Sequence, residues 1–488
     1  MNLPRRVTTC AGVLLALSWL GGCSASPASP DPVARLSVAQ RDDAARQLVV
    51  TIDDARAPRL AATPGATPRM LGGASGYRGS SRAEALVRGL ARDHGLAWLA
   101  GWRIDPLGVH CVVFEVPAGA SRDAALAALR ADPRVESAQP MQAFATSASS
   151  AAEPVPVPSA VPHGAARNWD DPYYPLQHAL PAMRVPEAQR LATGRVVQVA
   201  VIDTGVDTTH PDLAPRIQHA ANFVDADAAR FRGERHGTAV AGAIAATGDN
   251  RLGIVGVAPE VRLSVLKACW QDTAALPGTC NTLTLAEAIS YAIERRVQVI
   301  NLSLTGPADP LLDRLLRRAV DEGIVVLAAD PRRDDIAPSP FPVGIPGVIG
   351  IRDADTQAAA GATLAAPGRA VLTTVPGGHY DYVSGTSMSV ALASGIVALA
   401  LQVDPATDGA NLDRVLRSSA RVATPAPTLL DAERTVRELA AAKRRAGSRS
   451  GAAPSRTTAG TRSTQRSRRI TTPSSSSALI AGSPSRLR

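Results

Sequence analysis

The sequence predicts an α/β protein: a doubly wound, mostly parallel sheet preceded by a small α+β domain and followed by a disordered basic tail. Three observations lead there. Between Asn168 and about Ala442, continuous apolar runs alternate with helical segments. RVVQVAVIDTG, VRLSVL, VQVINLSL, GIVVLAA and GVIGI read as parallel strands covered on both faces. Residues 46–144 follow another order, β-α-β-β-α-β, that of a ferredoxin-like sandwich. From Lys443 on, no apolar period remains. At 488 residues the chain has room for two folded domains with tails.

Each element has a local reason. QLVVTIDD (47–54) is a short strand. SSRAEALVRGLARDHG is a helix with Ser81 as N-cap, Glu84 completing a capping box and Gly95 as the stop. LAWLAGWRI and VHCVVFEV are strands, SRDAALAALRADP is a helix capped by Ser121, and VESAQPMQAF is a last strand. Residues 145–167, rich in Ser, Ala, Pro and Val, read as a linker. In the larger domain (168–442), TLAEAISYAIERR opens with a Thr284/Glu287 capping box. DPLLDRLLRRAVDEG has Asp309 as N-cap, Pro310 in the first turn and Gly323 as its C-terminal stop.

Residues 1–22 have the form of an export signal. Met1–Arg6 is short and basic, and Val7–Leu20 is mostly apolar and too short to span a bilayer. The signal ends in Leu20-Gly21-Gly22-Cys23, and a segment opening rich in Ser, Pro and Ala runs to residue 45. This ending resembles the lipobox of bacterial lipoproteins, which implies a lipid on Cys23 and attachment to a cell-envelope membrane. An ordinary secretory signal with a chance cysteine is the alternative. No later stretch reads as long and apolar enough to span. Cys10 leaves with the signal, and Cys111 sits alone in a strand. Cys269 and Cys280 bracket WQDTAALPGT, where export makes a disulfide the expectation. No His or Cys stands nearby at ligand spacing, so zinc is not expected. The formal charge of +9 belongs to the tail: residues 439–488 hold eleven Lys and Arg and no acid, and without them the chain carries −2. Solvated disorder or attraction to envelope polyanions suits such a tail. Nucleic acid is not an expected partner, because no motif or interleaved aromatic supports it.

Three stretches carry chemistry. AVIDTGVDTTHPDL places Asp203 at the C-terminal end of a strand. ERHGTAVAGAIAA places His236 at a helix start, and SGTSMSVALASGIVALAL places Ser387 at another after a Gly-rich turn. Singly, such residues are usually a turn acid, a satisfied polar side chain and a helix start. Together, in the order Asp…His…Ser with glycine beside each, they specify a nucleophilic serine, a general base and an orienting carboxylate. Strand ends and helix starts on one side of a parallel sheet are where ligands bind.

DTGVD-x-x-HPDL, HGT-x-VAG, GVAP (256–259), NLSL (301–304) and SGTSM (384–388) stand in the order of the subtilisin-like serine peptidases, which residues 168–440 resemble. NWDDPYYPLQHAL (168–180) resembles the lead-in of the mature enzyme. The resemblance implies a subtilisin-like fold and a serine endopeptidase that cleaves protein or peptide substrates without a cofactor. It also implies that residues 46–144, best matched at DPRVESAQP, are a self-cleaved inhibitory propeptide. Ala239, Ala391 and Leu392 depart from the family's common His, Pro and His, and Thr305 from a Gly beside the primary specificity pocket. Asp212 resembles a calcium ligand of relatives, but one carboxylate is not a site of about 6–8 oxygens, so no metal is expected. The gravest departure follows GIVVLAA. Where the family has Gly-Asn, with the Asn serving the oxyanion beside the Ser387 backbone N–H, this chain has Asp330-Pro331, and no Asn lies between Asn301 and Asn411. Ionised, Asp330 would repel the developing charge; protonated, it would donate, and Arg332 or Arg333 are alternative donors. An enzyme with an impaired oxyanion hole is therefore weighed against a catalytically weak, peptide-binding envelope protein. The complete triad favours the enzyme.

Overall fold

A computed structural model of the chain describes residues 43–53, 81–147, 168–271, 277–330, 341–354, 364–422 and 428–450. The signal, Cys23 and most of the linker lie outside them. The chain forms one compact unit to Lys443 and a second from Arg444 on. The first begins with an antiparallel sheet of β1 (Gln47–Asp53), β2 (Ala97–Ile104), β3 (Val109–Glu115) and β4 (Ser137–Pro140), in the order β2-β3-β1-β4. Strand alternation explains why β1 and β3 are buried along nearly their whole length. Leu48, Val50, Ile52, Val112 and Phe114 face helices Ser81–Asp93 and Arg122–Ala131. Val49, Cys111 and Val113 join a second core with helices Thr282–Glu294 and Pro310–Asp321 of the larger domain. The small sheet is thus sandwiched between two layers.

The stretch VESAQPMQAF is two strands, not one. After β4 the chain leaves the small sheet, and β5 (Ala143–Thr146) joins a different one. Gln142 marks the crossing: its backbone N–H donates to Thr282 Oγ1, and its carbonyl accepts from Thr282 N.

The larger domain is built on a nine-stranded sheet. Its strands are β6 (Gln198–Asp203), β7 (Ile217–Asn222), β8 (Arg262–Lys267), β11 (Val299–Leu302), β13 (Val325–Ala329), β14 (Val348–Asp353), β15 (Leu364–Ala366), β18 (Arg421–Val422) and β19 (Thr428–Leu429). The order is β18-β19-β15-β14-β13-β11-β6-β8-β7, parallel except for the β18–β19 pair. Alternate residues of β6 serve opposite cores: Val199 and Val201 pack with helices Arg235–Ala245 and Thr386–Val403, Ala200 and Ile202 with Thr282–Glu294. That two-sided burial produces the unbroken apolar runs of the sequence.

Three expectations are corrected. Helix Thr282–Glu294 starts earlier than its apparent Thr284/Glu287 box. Asn281, extended at a strand end, is the N-cap and Thr284 closes the box from its third position. Helix Thr386–Val403 is long and apolar enough to cross a membrane, yet it is the central helix of the core, buried from Ser387 to Leu401. The last helix, Ala432–Ser450, continues past Lys443, because Ala, Lys and Arg are strong helix formers that need no apolar face. Residues 451–488 lie outside the described part.

Between the domains' contributions runs a small sheet in the order β12-β5-β10-β9, with β9 (Cys269–Trp270), β10 (Thr279–Asn281) and β12 (Leu304–Thr305). Strand β5 lies antiparallel between two strands of the larger domain: Ala145 faces both Thr279 and Thr305. Cys269 and Cys280, directly opposite in β9 and β10, form a disulfide. Asp309 anchors the helix beside this sheet. Its Oδ1 accepts from Leu311 N and Leu312 N, and its Oδ2 accepts from Thr282 Oγ1 at 2.7 Å.

Asp309→Ala should lower stability by about 2 kcal/mol in denaturant unfolding, from the lost cap and the orphaned donors. Burial pushes the Asp309 carboxyl up despite these bonds. Between the unfolded and the raised folded value the native chain holds the proton more tightly, so stability falls as pH rises through that window. Asp309→Asn should flatten the fall; an unchanged pH slope would count against this.

Candidate active site

The carboxyl ends of the parallel strands and the starts of two helices converge on one place. Asp203 ends β6, His236 is the second residue of helix Arg235–Ala245, and Ser387 is the second of helix Thr386–Val403. Glycines let these segments meet. A Cβ on Gly237 would lie 2.2 Å from the Gly205 carbonyl oxygen, so the turn after Asp203 and the His236 helix approach only without one. Gly385, at φ +142°, turns the chain into the Ser387 helix.

His236 Nδ1–H donates to Asp203 Oδ1 at 2.7 Å, deep in the protein. A carboxylate only accepts, so the ring proton sits on Nδ1 and Nε2 is left as the basic nitrogen. The same Asp203 oxygen accepts from Thr204 N at 2.7 Å, which fixes the carboxylate. His236 Nε2 and Ser387 Oγ are both buried without a hydrogen-bond partner among the described residues. Left unengaged by the described protein groups, both atoms are available to a substrate or to water. The single Ser303 Oγ–H is shared between Asn301 Oδ1 at 3.0 Å and the Ser387 carbonyl at 3.3 Å, while Asn301 Nδ2 donates to Ser394 Oγ. This chain ties the serine's helix to β11.

An extended peptide lies against these groups, and it is the chain's own. Thr146 N donates to the Gly278 carbonyl at 2.8 Å, Ser147 N to the Ser303 carbonyl at 2.9 Å, and Ser387 N to the Ser147 carbonyl at 3.4 Å. The carbonyl of Ser147 therefore points at the helix start that carries Ser387. Three residues earlier, the Phe144 ring packs on Phe341 with centroids 5.0 Å apart. A Cβ on Gly306 would lie 2.3 Å from that ring, so the ring's slot exists because residue 306 has no side chain. Thr305, opposite Ala145 on β12, lines the same peptide.

The departures noted in the sequence find places. Ala239, Ala391 and Leu392 are fully buried in the main core, and the Ala239 carbonyl accepts from Thr373 Oγ1 at 2.6 Å. Asp212 is enclosed by donors, accepting from Asn250 Nδ2, Tyr380 Oη and Ile254 N; burial pushes its carboxyl up. Asp330 follows β13, and its buried carboxylate faces Arg352 Nε on β14 at 3.6 Å. Pro331, Arg332 and Arg333 lie outside the described residues.

One buried pair beside the site is not singled out by any sequence motif. Lys267, at the end of β8 and in register with Asp203, is wholly buried; its Nζ donates to Glu234 Oε1 and to the Thr204 carbonyl. Glu234 stands two residues before His236. Burial pushes the Glu234 carboxyl up and the Lys267 ammonium down, each held back by the other's charge. A lysine closing an apolar strand beside the aspartate's strand was the only available hint.

A parallel sheet that presents an aspartate–histidine pair and a helix-start serine at one end is the arrangement of α/β serine hydrolases. The relatives narrow that class. The subtilase family model matches residues 194–448, and the chain belongs to this family of serine endopeptidases. It is 37% identical over 240 residues to an intracellular serine protease of Paenibacillus polymyxa, covering 45% of this chain and 71% of that protein. Identity to thermitase of Thermoactinomyces vulgaris is 32% over 240 residues, covering 47% and 84%. The crystal structure of fervidolysin from Fervidobacterium pennivorans, a keratinolytic enzyme related to subtilisin, superposes with a TM-score of 0.61 at 20% identity. The match covers 80% of this chain and 61% of that one, a likeness of fold.

Lys267→Met should destabilise the protein by about 3–5 kcal/mol, because it leaves Glu234 buried and unpaired. Adding Glu234→Leu should recover most of that loss in thermal or denaturant unfolding. A double variant as unstable as the single one would show that the lysine acts through something other than this pair.

Proposed function

We propose that the chain is an exported, lipid-anchored serine endopeptidase, made as a zymogen that cuts its own Ser147–Ala148 bond and is inhibited by the domain before that bond. The observation that carries this reading is the Ser147 carbonyl, seated on Ser387 N at the end of a strand gripped on both edges. Ser387 Oγ attacks the Ser147 carbonyl carbon while His236 Nε2 takes its proton, and Asp203 holds the imidazole and stabilises its charged form. Ser387 N–H donates to the developing oxyanion. The tetrahedral adduct collapses with return of the proton from His236 to the Ala148 amine, leaving Ser147 esterified to Ser387. Water, deprotonated by His236, then releases Ser147 as a carboxylate. Other extended peptides follow the same route once the strand departs.

In the full-length chain, Ser387→Ala should give one intact species that fractionates with membranes through Cys23. The wild type should yield a soluble fragment beginning at Ala148. Amino-terminal sequencing and fractionation read both claims. Identical banding of the two proteins would remove the self-cleavage, and wild-type fragment retained on membranes at high salt would remove the release.

The rival reading, a peptide-binding module without catalysis, draws on the missing Gly-Asn. Its premise changes with Asp330 set against Arg352: the carboxylate has a structural partner, and we take Pro331, of the two candidate positions, as the one that answers to the family's Asn. We therefore expect a slow enzyme with the Ser387 backbone as its principal oxyanion donor. Pro331→Asn should raise kcat by up to about 10²-fold with little change in KM, while Asp330→Asn should lower stability without raising kcat. A faster Asp330→Asn enzyme would return Asp330 to the oxyanion.

A further inference from the structure

We propose that the subsite next to the cleaved residue, on its amino side, selects a side-chain hydroxyl, threonine above all, and reads it with the backbone N–H of Gly278. The inference rests on the peptidase reading above, since it treats residues 144–147 as a bound substrate segment. Between extended strands a backbone N–H normally finds a backbone carbonyl. Here Gly278 N donates to Thr146 Oγ1 at 2.8 Å, while the Gly278 carbonyl accepts from Thr146 N at 2.8 Å. One residue is thus held twice, once through its main chain and once through its hydroxyl. The place is closed to water, with Thr146 only 4% exposed.

The walls set the size. A Cβ on Gly278 would lie 2.5 Å from Thr204 Cγ2 and 3.0 Å from Thr146 Cγ2, so both methyl groups crowd onto the bare glycine. Thr204 itself is immobilised. Its carbonyl accepts from Lys267 Nζ, its N–H donates to Asp203, and its Oγ1 accepts from Gly237 N at 3.2 Å. Two residues beyond Gly278, the disulfide ties Cys280 of β10 to β9. The donor is therefore fixed in place from both sides. A side chain larger than threonine meets the Thr204 methyl. One of equal size without oxygen, valine, leaves the Gly278 N–H buried and unpaired.

That asymmetry gives the expected selectivity. Loss of a hydrogen bond that strands a buried donor lowers kcat/KM by roughly 10- to 100-fold. With Phe144 in the slot formed at Gly306 and Phe341, and Ser147 as the cleaved residue, the preferred substrates are extended peptides of the form Phe-x-Thr-Ser.

The test uses self-processed enzyme from the full chain and four chromogenic peptides, Phe-Ala-Thr-Ser, Phe-Ala-Ser-Ser, Phe-Ala-Val-Ser and Phe-Ala-Ala-Ser. The threonine and serine peptides should exceed their valine and alanine partners by at least about 10-fold in kcat/KM; valine equal to or better than threonine overturns the proposal. A second measurement needs no turnover. In full-length Ser387→Ala protein, amide exchange at Gly278 should rise about 10-fold or more on adding Thr146→Val and stay low with Thr146→Ser. Unchanged exchange in the valine variant also overturns it. Failure of all four peptides to be cleaved would strike the peptidase reading, while the exchange experiment would still decide whether the hydroxyl is read.

Discussion

Among the described residues, strand β5 pairs with strands of the larger domain and not with the small domain from which it emerges. Its backbone groups are satisfied because β10 and β12 lie on either side of it, two edge strands of the larger domain that would otherwise expose their own unpaired donors and acceptors. The geometry of the site follows from that insertion. The register that sets Ala145 between Thr279 and Thr305 also brings the Ser147 carbonyl to Ser387 N, and a shift of one residue would turn Phe144 away from Phe341. Main-chain pairing of this kind accepts almost any extended segment. Selectivity must come from side chains at alternate positions, here Phe144 and Thr146.

The electrostatic setting is equally local. Ser387 sits at the positive end of an 18-residue helix, which favours negative charge developing beside it. Asp203 and Glu234 bring two acidic groups into the same buried region, and Lys267 is the wholly buried cation there. By donating to both Glu234 and the Thr204 carbonyl, the lysine joins the aspartate's turn to the segment leading into His236. Burial opposes both charges, yet together they leave no net charge to disturb the pair of Asp203 and His236.

The three candidate catalytic residues were legible because glycine announces them. Gly205, Gly237 and Gly385 are demanded by close backbone approach or positive φ, and these demands write short motifs into the sequence. Apolar runs likewise revealed the parallel strands, since burial on both faces leaves no other pattern. What escaped detection depends on tertiary pairing. AFAT has no strand signal strong enough to separate it from the residues before it, because its partners come from more than 130 residues further along the chain. The start of helix Thr282–Glu294 was misplaced because Asn281 and Thr284 both have capping chemistry, and only the extended conformation of Asn281 decides between them. The partnership of Lys267 with Glu234 needs β8 to lie beside β6, and register cannot be read from either strand alone.

The carboxylate that closes β13 shows how a sequence departure changes meaning with its neighbours. Beside Ser387 an acid reads as an obstacle to a developing oxyanion. In the fold, β13 and β14 run parallel with Ala329 opposite Ile351, and Asp330 N donates to the Ile351 carbonyl. The next residue on β14 is Arg352, so acid and base leave the ends of adjacent strands together and pair in the interior. A buried acid and a largely buried base need not have arisen to serve catalysis: removing the acid would leave the arginine's charge without this partner, which favours keeping the pair once formed. Asp330 then constrains the site by where it holds the chain. Tied to β14 through its backbone and side chain, it fixes where β13 ends. Its charge is answered by Arg352 within the sheet's own edge-to-edge register, a pairing that the sequence of either strand alone does not show.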